Sequence, residues 1–181
     1  MNSKAKEDDL VRSIVNGDKQ RFVELIEAYQ VKVANLTYKL AGNRLEVDEV
    51  VQLVFVELYT SLPRFRFESK LSTFVYRITV NVVNKMLTQA RRVVPFEKET
   101  FVNRFSTEGE EGDSLQQEQL EQLRNAIGQL KYEQRTALVL FTYDNFTYQD
   151  IADVMNISIS KVESLTFRAK KNLKKILKLD D

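Results

Sequence analysis

Residues Phe146-Thr-Tyr-Gln-Asp-Ile-Ala-Asp-Val-Met-Asn-Ile-Ser-Ile-Ser-Lys-Val-Glu-Ser-Leu165 read as a helix, a tight turn and a second helix. Thr147 has the hydroxyl of an N-cap, and Gln149 to Met155 is the length of a short first helix. Ala152 is small where two crossing helices must approach closely. Asn156 follows four residues later, at a turn that wants φ > 0, which Asn tolerates better than most residues. Ser158 or Ser160 can cap the second helix, and Val162 anchors it in a core. The basic residues Arg168, Lys170, Lys171, Lys174, Lys175 and Lys178 follow. A positively charged second helix beside a tight turn is a common way into the DNA major groove, so duplex DNA is the expected partner.

The remaining composition agrees with a helical chain. Of 181 residues 43% are hydrophobic, with only five Gly and two Pro, which suits one or two compact, mostly helical domains. The net charge of +1 conceals a strong division along the chain. Residues 64–92 hold seven Lys or Arg against Glu68 alone, and residues 161–178 hold seven against Glu163 alone. Between them, residues 93–114 set six acids (Glu97, Glu99, Glu108, Glu110, Glu111, Asp113) against Lys98 and Arg104. Two basic blocks around an acidic one are a sharper electrostatic footprint than the total. The absence of Cys removes disulfides and thiolate metal sites, and the absence of His removes His-based triads and His-ligated zinc. No phosphate-cradling Gly-rich loop or nucleophile motif is present, so neither an enzyme nor a bound cofactor or metal is expected. No run approaches the ~18 apolar residues of a membrane span, so a cytoplasmic protein without membrane insertion is expected.

Apolar spacing predicts helices over residues 8–40, broken at Asn16-Gly17-Asp18, and over Val47–Leu62, ended by Pro63. A further helix is predicted from about Ser72 to Arg92. Periodicity dissolves from Val93 to Ser114, where Pro95, Gly109, Gly112 and the acids suggest a mobile linker. It returns with Leu115, Leu120, Leu123, Ile127 and Leu130, and again over Tyr132–Tyr143. The expected architecture is all-α: a domain over residues 1–94, an acidic linker over 95–114, and a helix-turn-helix domain over 115–181.

The first basic block interleaves cations with rings: Arg64-Phe65-Arg66-Phe67, then Phe74 and Tyr76. Grooves for single-stranded nucleic acid use this chemistry, since cations follow the backbone and rings stack on unpaired bases. Asn81 and Asn84 stand one turn apart, and side-chain amides can read base edges. Phe74 suits core packing and base stacking alike; Phe65 and Phe67, flanked by charge in a loop, favour a functional surface.

These features together resemble an extracytoplasmic-function (ECF) sigma factor, over about Leu10 to Leu177. Glu49-Val-Val-Gln52-Leu-Val-Phe55 is similar to the family's segment for the polymerase clamp helices, with Glu49 where Asp is usual. Thr73-Phe74-Val75-Tyr76-Arg77-Ile78-Thr-Val-Asn81 is similar to the promoter-melting segment, with Phe74 in place of the usual Trp. Phe146 to Ala152 and Phe167-Arg168-Ala169-Lys170 match the region that reads the −35 element. The resemblance implies three sets of contacts. Glu49, Gln52 and Phe55 would meet core RNA polymerase at the beta-prime clamp helices, with the second domain at the beta flap. Arg64, Phe65, Arg66, Phe67, Lys70, Phe74, Arg77, Asn81, Asn84, Lys85, Arg91 and Arg92 would face −10 DNA, the loop over 64–72 and Asn81 holding a flipped base. Tyr148, Ser160, Lys161, Glu163, Ser164, Phe167, Arg168 and Lys171 would face −35 DNA. An anti-sigma factor is the further partner it implies. The acidic linker would imitate RNA in the polymerase channel, or is a solvated spacer.

The match departs on the DNA-reading side of the second domain. Glu163 stands where the family usually carries a basic residue, Leu165 and Phe141 where Arg is frequent, and Asn156 where the turn Gly is usual. Glu163 would weaken phosphate contact, or accept a hydrogen bond from a cytosine amino group and so specify sequence. Leu165 extends an apolar stripe of Val162, Leu165, Ala169, Leu173 and Ile176. Two other classes fit parts of the chain: a stand-alone helix-turn-helix regulator, and a polymerase-binding adaptor with degenerate promoter reading.

Overall fold

The computed structural model describes the backbone of residues 3–93, 114–143 and 146–179. Most of the proposed linker therefore lies outside the described residues, as do the side chains of Arg91 and Arg92. Helix α1 (Ser3–Val15) leads through Gly17, at φ +100°, into α2 (Lys19–Ala41). The Asp18 carboxylate caps α2 by accepting from the N–H groups of Gln20 and Arg21, and Gly42, at φ +58°, closes it by donating to the Tyr38 carbonyl. Helix α3 (Val47–Ser61) gives way to a 3-10 turn over Leu62–Arg64. Pro63 lies in that turn, as a helix stop should. Helix α4 (Leu71–Val93) follows. Val50, Val54 and Leu58 of α3 meet Leu25, Val33 and Leu36 of α2 and Leu71, Val75 and Val83 of α4 in one core, with Val11 and Ile14 of α1 at its edge.

The second set comprises α5 (Ser114–Gln129), α6 (Tyr132–Tyr143), α7 (Tyr148–Met155) and α8 (Ile159–Ile176). Leu123, Ile127 and Leu130 turn inward as the periodicity predicts, whereas Leu120 is exposed. Thr147 caps α7 in a reciprocal box with Asp150. Asn156 ends α7 at φ 54°, ψ 50°, the left-handed conformation expected of the turn. Ser158, rather than Ser160, caps α8 by accepting from the Lys161 N–H. Val162, Leu165 and Ala169 are buried, with Leu173 and Ile176 packed beside them. Leu165 is therefore a core residue.

The two helical sets share a core. Ala137, Leu140, Ile151, Val154 and Val162 join the cluster built by α2, α3 and α4. One buried cation fixes the junction: Arg135, 1% exposed, sends its whole guanidinium into backbone carbonyls. Its Nε donates to Ile127, its terminal nitrogens to Gly128, Leu130 and, across the junction, Leu40. The Tyr132 hydroxyl donates to the Val80 carbonyl at 2.7 Å. Burial pushes the Tyr132 phenol far above its ordinary value, so it stays a donor at any ordinary pH. Replacing Arg135 by Ala removes a guanidinium donor from four backbone carbonyls, of which Ile127 keeps a bond from the Leu130 N–H; urea unfolding should register a loss on the order of 3 kcal/mol, against under about 1 kcal/mol for Asn156→Gly, which suits the same left-handed turn.

Candidate nucleic-acid interface

Three surfaces gather the residues singled out in the sequence. The first lies on α3 and α2. The buried stripe of α3 leaves Glu49, Gln52, Leu53 and Val56 on its outer face, spaced i, i+3, i+4, i+7. Leu53, Val56 and Tyr59 are exposed, Val56 at 62%. Together with Phe22, Val23 and Ile26 of α2, Val56 and Tyr59 border an apolar groove of about 740 Å³ reached by Gln52. A helix apolar on both faces has one face for its own core and one for a partner. Phe55 is not on that outer face: it is buried, its ring centroid 6.5 Å from that of Phe22, and it contributes to the lining of the groove from the core side. Val23, Val56 and Tyr59 were missed in the sequence, although their signal is present as apolar residues surplus to the core stripe.

The second surface runs along the loop before α4 and up α4. Here the loop aromatics differ from expectation. Phe65 is 9% exposed and packs in the core, with ring centroids 5.0 Å from Phe67 and 4.9 Å from Phe74. Flanking arginines made it look superficial, but only Arg64 and Arg66 point outward. Phe67 is half-buried at φ 59°, a left-handed conformation costly for a bulky side chain. The Arg12 guanidinium lies 4.7 Å from its ring centroid and helps hold it there. Phe74 is half-buried against the same cluster. Further along α4, Arg77, Asn81, Asn84 and Lys85 share one face at helical spacing, and the last three are exposed.

Helix α7 covers the start of this surface. Arg77 Nε donates to the Asp153 carbonyl at 3.0 Å, and Lys70 Nζ reaches the Asp150 carboxylate at 3.3 Å. The Tyr76 ring is buried with its centroid 4.9 Å from that of Phe146. Lys70 and Arg77, expected at DNA, are thus tied to the helix-turn-helix in this conformation. The role of α7 as a cover escaped the sequence because nothing local signals a contact between segments 70–80 residues apart.

The third surface is the outer face of α8. Ser160, Glu163, Phe167 and Lys171 are exposed there, with Arg168 on its flank, Lys161 beside it and Ser164 half-buried. Lys161 pairs with Glu133 at 3.4 Å, both well exposed, which contributes little. The Tyr148 ring lies tilted against Phe141 with centroids 5.3 Å apart, and Lys170 Nζ stands 5.2 Å from the Phe141 ring centroid. Phe141 thus forms an aromatic shelf beside α8. Among the described residues, no helix is long and apolar enough to cross a membrane.

Two family models match the chain. The Sigma-70 region 2 model matches residues 25–93, and the Sigma-70 region 4 model residues 120–173. RNA polymerase sigma-H factor of Pseudomonas aeruginosa is 30% identical, over 98% of this chain and 96% of its own. ECF RNA polymerase sigma-E factor of Escherichia coli is 32% identical, over 89% of this chain and 88% of its own. Among solved structures, CnrH in complex with the cytosolic domain of CnrY has TM-score 0.69 at 20% identity, covering 97% of this chain and 99% of that one. The sigma factor RpoE of Bartonella quintana, in complex with the anti-sigma factor NepR, has TM-score 0.68 at 21% identity, covering 88% and 98%. These two show likeness of fold.

The cover over α4 responds to pH in a definite direction. The Thr147 hydroxyl, then the Thr147 N–H and Lys70, hold the Asp150 carboxyl below its ordinary 3.8 against the opposing effect of burial. A depressed acid stabilises the fold fully above its ordinary value and loses that contribution as pH falls through its lowered one. Below 3.8, amide exchange in α7 should therefore rise, and Asp150→Asn should flatten that rise. At neutral pH, the pair Lys70→Ala and Phe146→Ala should speed exchange along α7 by on the order of tenfold with helicity unchanged. Unaltered exchange would show that these contacts do not hold α7 down.

Proposed function

The chain belongs to the ECF sigma factors, and on that premise we propose that it binds core RNA polymerase and directs promoter recognition and melting. The observation that carries this reading is the conjunction of a region 2-like α2–α4 unit and a region 4-like helix-turn-helix in one chain, in that order. A stand-alone regulator would need only the second, and would leave the apolar outer face of α3 without a use. The division into a domain over residues 1–94, a linker over 95–114 and a domain over 115–181 belongs to the same reading.

Each surface then has a task. The outer face of α3, with Glu49, Gln52, Leu53 and Val56, docks on the beta-prime clamp helices; the second domain meets the beta flap. Along α4, exposed Asn81, Asn84 and Lys85 face the −10 strand, with Arg64 and Arg66 on its backbone. Phe67 and Phe74 border the pocket for a flipped base, whose extraction costs a few kcal/mol of stacking and pairing. The outer face of α8 reads −35 duplex. No bond is made or broken in these steps, so the protein works without a catalytic residue of its own. The work belongs in the bacterial cytoplasm, where polymerase and promoter are. Since CnrH and RpoE were solved with CnrY and the anti-sigma factor NepR, an anti-sigma partner is proposed here as well.

Docking and melting need different states of the molecule. The α3 face is open in the closed structure, whereas Arg77 and Lys70 are occupied by α7. Polymerase can therefore bind first, and α7 must leave α4 before DNA takes its place.

The test is transcription by purified bacterial core polymerase on a random promoter library, with and without the protein. Start sites that appear only with it, sharing two spaced elements, are the expected result; the absence of any would reject the reading. Val56→Glu, on an exposed position, should weaken the polymerase complex at least about tenfold. Asn81→Ala should leave that complex intact and reduce open promoter. Loss of both properties in both variants would mean that the two surfaces are not separate.

A further inference from the structure

Helix α8 carries a single acid on a face otherwise suited to DNA. Glu163 is exposed and makes no hydrogen bond or ion pair with any described residue. Its direction is fixed by the burial of Val162, Leu165, Thr166 and Ala169, which sets the rotation of α8 about its axis. Counted from the Ser158 cap, Glu163 is the fifth residue of the helix, in the half of a recognition helix that meets base edges. Ser160 precedes it by about one turn, and Phe167, 69% exposed, follows it by one.

A carboxylate in a major groove has two kinds of neighbour. Phosphates repel it. Base edges offer it two amino donors, cytosine N4 and adenine N6. In adenine the N7 acceptor lies beside N6 and faces the second carboxylate oxygen, whereas cytosine places only C5–H there. The exposed Arg168 and Lys171 supply the phosphate anchors that let the helix seat despite one negative charge. The ring of Phe167 limits water around the carboxylate once the helix is in the groove, which strengthens its preference.

We propose that Glu163 specifies a cytosine in the upstream promoter element by accepting a hydrogen bond from its N4 amino group. This rests on the sigma-factor reading above and adds to it one base and the residue that selects it.

The experiment uses the full chain with core polymerase and a library randomised only upstream, comparing the unaltered protein with Glu163→Gln and Glu163→Ala. The unaltered protein should favour C at one upstream position by on the order of tenfold. Glu163→Gln should shift that position to A, since a side-chain amide pairs with adenine N6 and N7. Glu163→Ala should flatten it, and all three proteins should keep the same neighbouring positions and −10 element. An identical preference in all three, or a selected base other than C at the position that responds to residue 163, overturns the proposal and leaves the sigma-factor reading standing. Failure of all three to create any start site overturns both. Melting temperatures should agree among the three, because Glu163 is exposed and makes no hydrogen bond or ion pair with any described residue.

Discussion

The arrangement of the molecule depends on how the buried Arg135 is solvated. A guanidinium cannot give up its proton in a protein, so it must find acceptors wherever it is buried. The four carbonyls it reaches belong to two places: Ile127, Gly128 and Leu130 at the end of α5, and Leu40 at the end of α2. Both are helix C-termini, where carbonyls lack intrahelical partners and the partial charge is negative. One cation therefore caps a helix in each half. This sets α6 against α2, the Tyr132 hydroxyl against Val80, and α7 over the beginning of α4.

The ties made by α7 are weaker in kind. Lys70 is largely exposed in its pairing with Asp150, and such pairs contribute roughly 0–1 kcal/mol. The Arg77 side chain gives one hydrogen bond, and the rings of Tyr76 and Phe146 add a modest aromatic contact. A cover held in this way can be displaced by a ligand that binds the uncovered state better, which is how a population is shifted. On the proposed reading, phosphates would offer a full negative charge to both Lys70 and Arg77, where α7 gives one backbone carbonyl and one carboxylate already shared with Thr147. The polar groups that close the molecule would thus be the ones that DNA, on that reading, satisfies in their place.

Much of the fold was legible because its determinants are local. Thr147, Asn156 and Ser158 fix the helix-turn-helix within a dozen residues, and apolar spacing marks α2, α3 and α4. Of the candidate surfaces, exposure was legible where residue type and helical position agree, as at Gln52, Asn81 and Lys171, all of which are exposed. It was illegible where burial depends on distant chain. Phe65 sits between two arginines and looks exposed, yet the core formed by Phe67, Phe74 and their neighbours encloses it. Arg135 looks like a surface cation until the ends of α2 and α5 converge on it. Likewise, Val56 and Tyr59 lie outside the core stripe of α3 in the sequence, and only the position of α2 shows that they border an open groove.

The charge distribution completes the account. Most cations of the second half line α8, yet its one carboxylate stands on the face that would meet DNA, with no ion-pair partner among the described residues. For phosphate affinity alone this is a loss, since each added cation strengthens backbone binding irrespective of sequence. A subunit that shares its DNA with a polymerase can bear that loss. Two weak contacts on one chain, held at a common site, bind far better together than either alone. Under that arrangement the helix need not maximise grip. A residue that repels most of the duplex and accepts from one base can then improve discrimination at little cost to occupancy, because discrimination is a difference between sites rather than a sum over contacts.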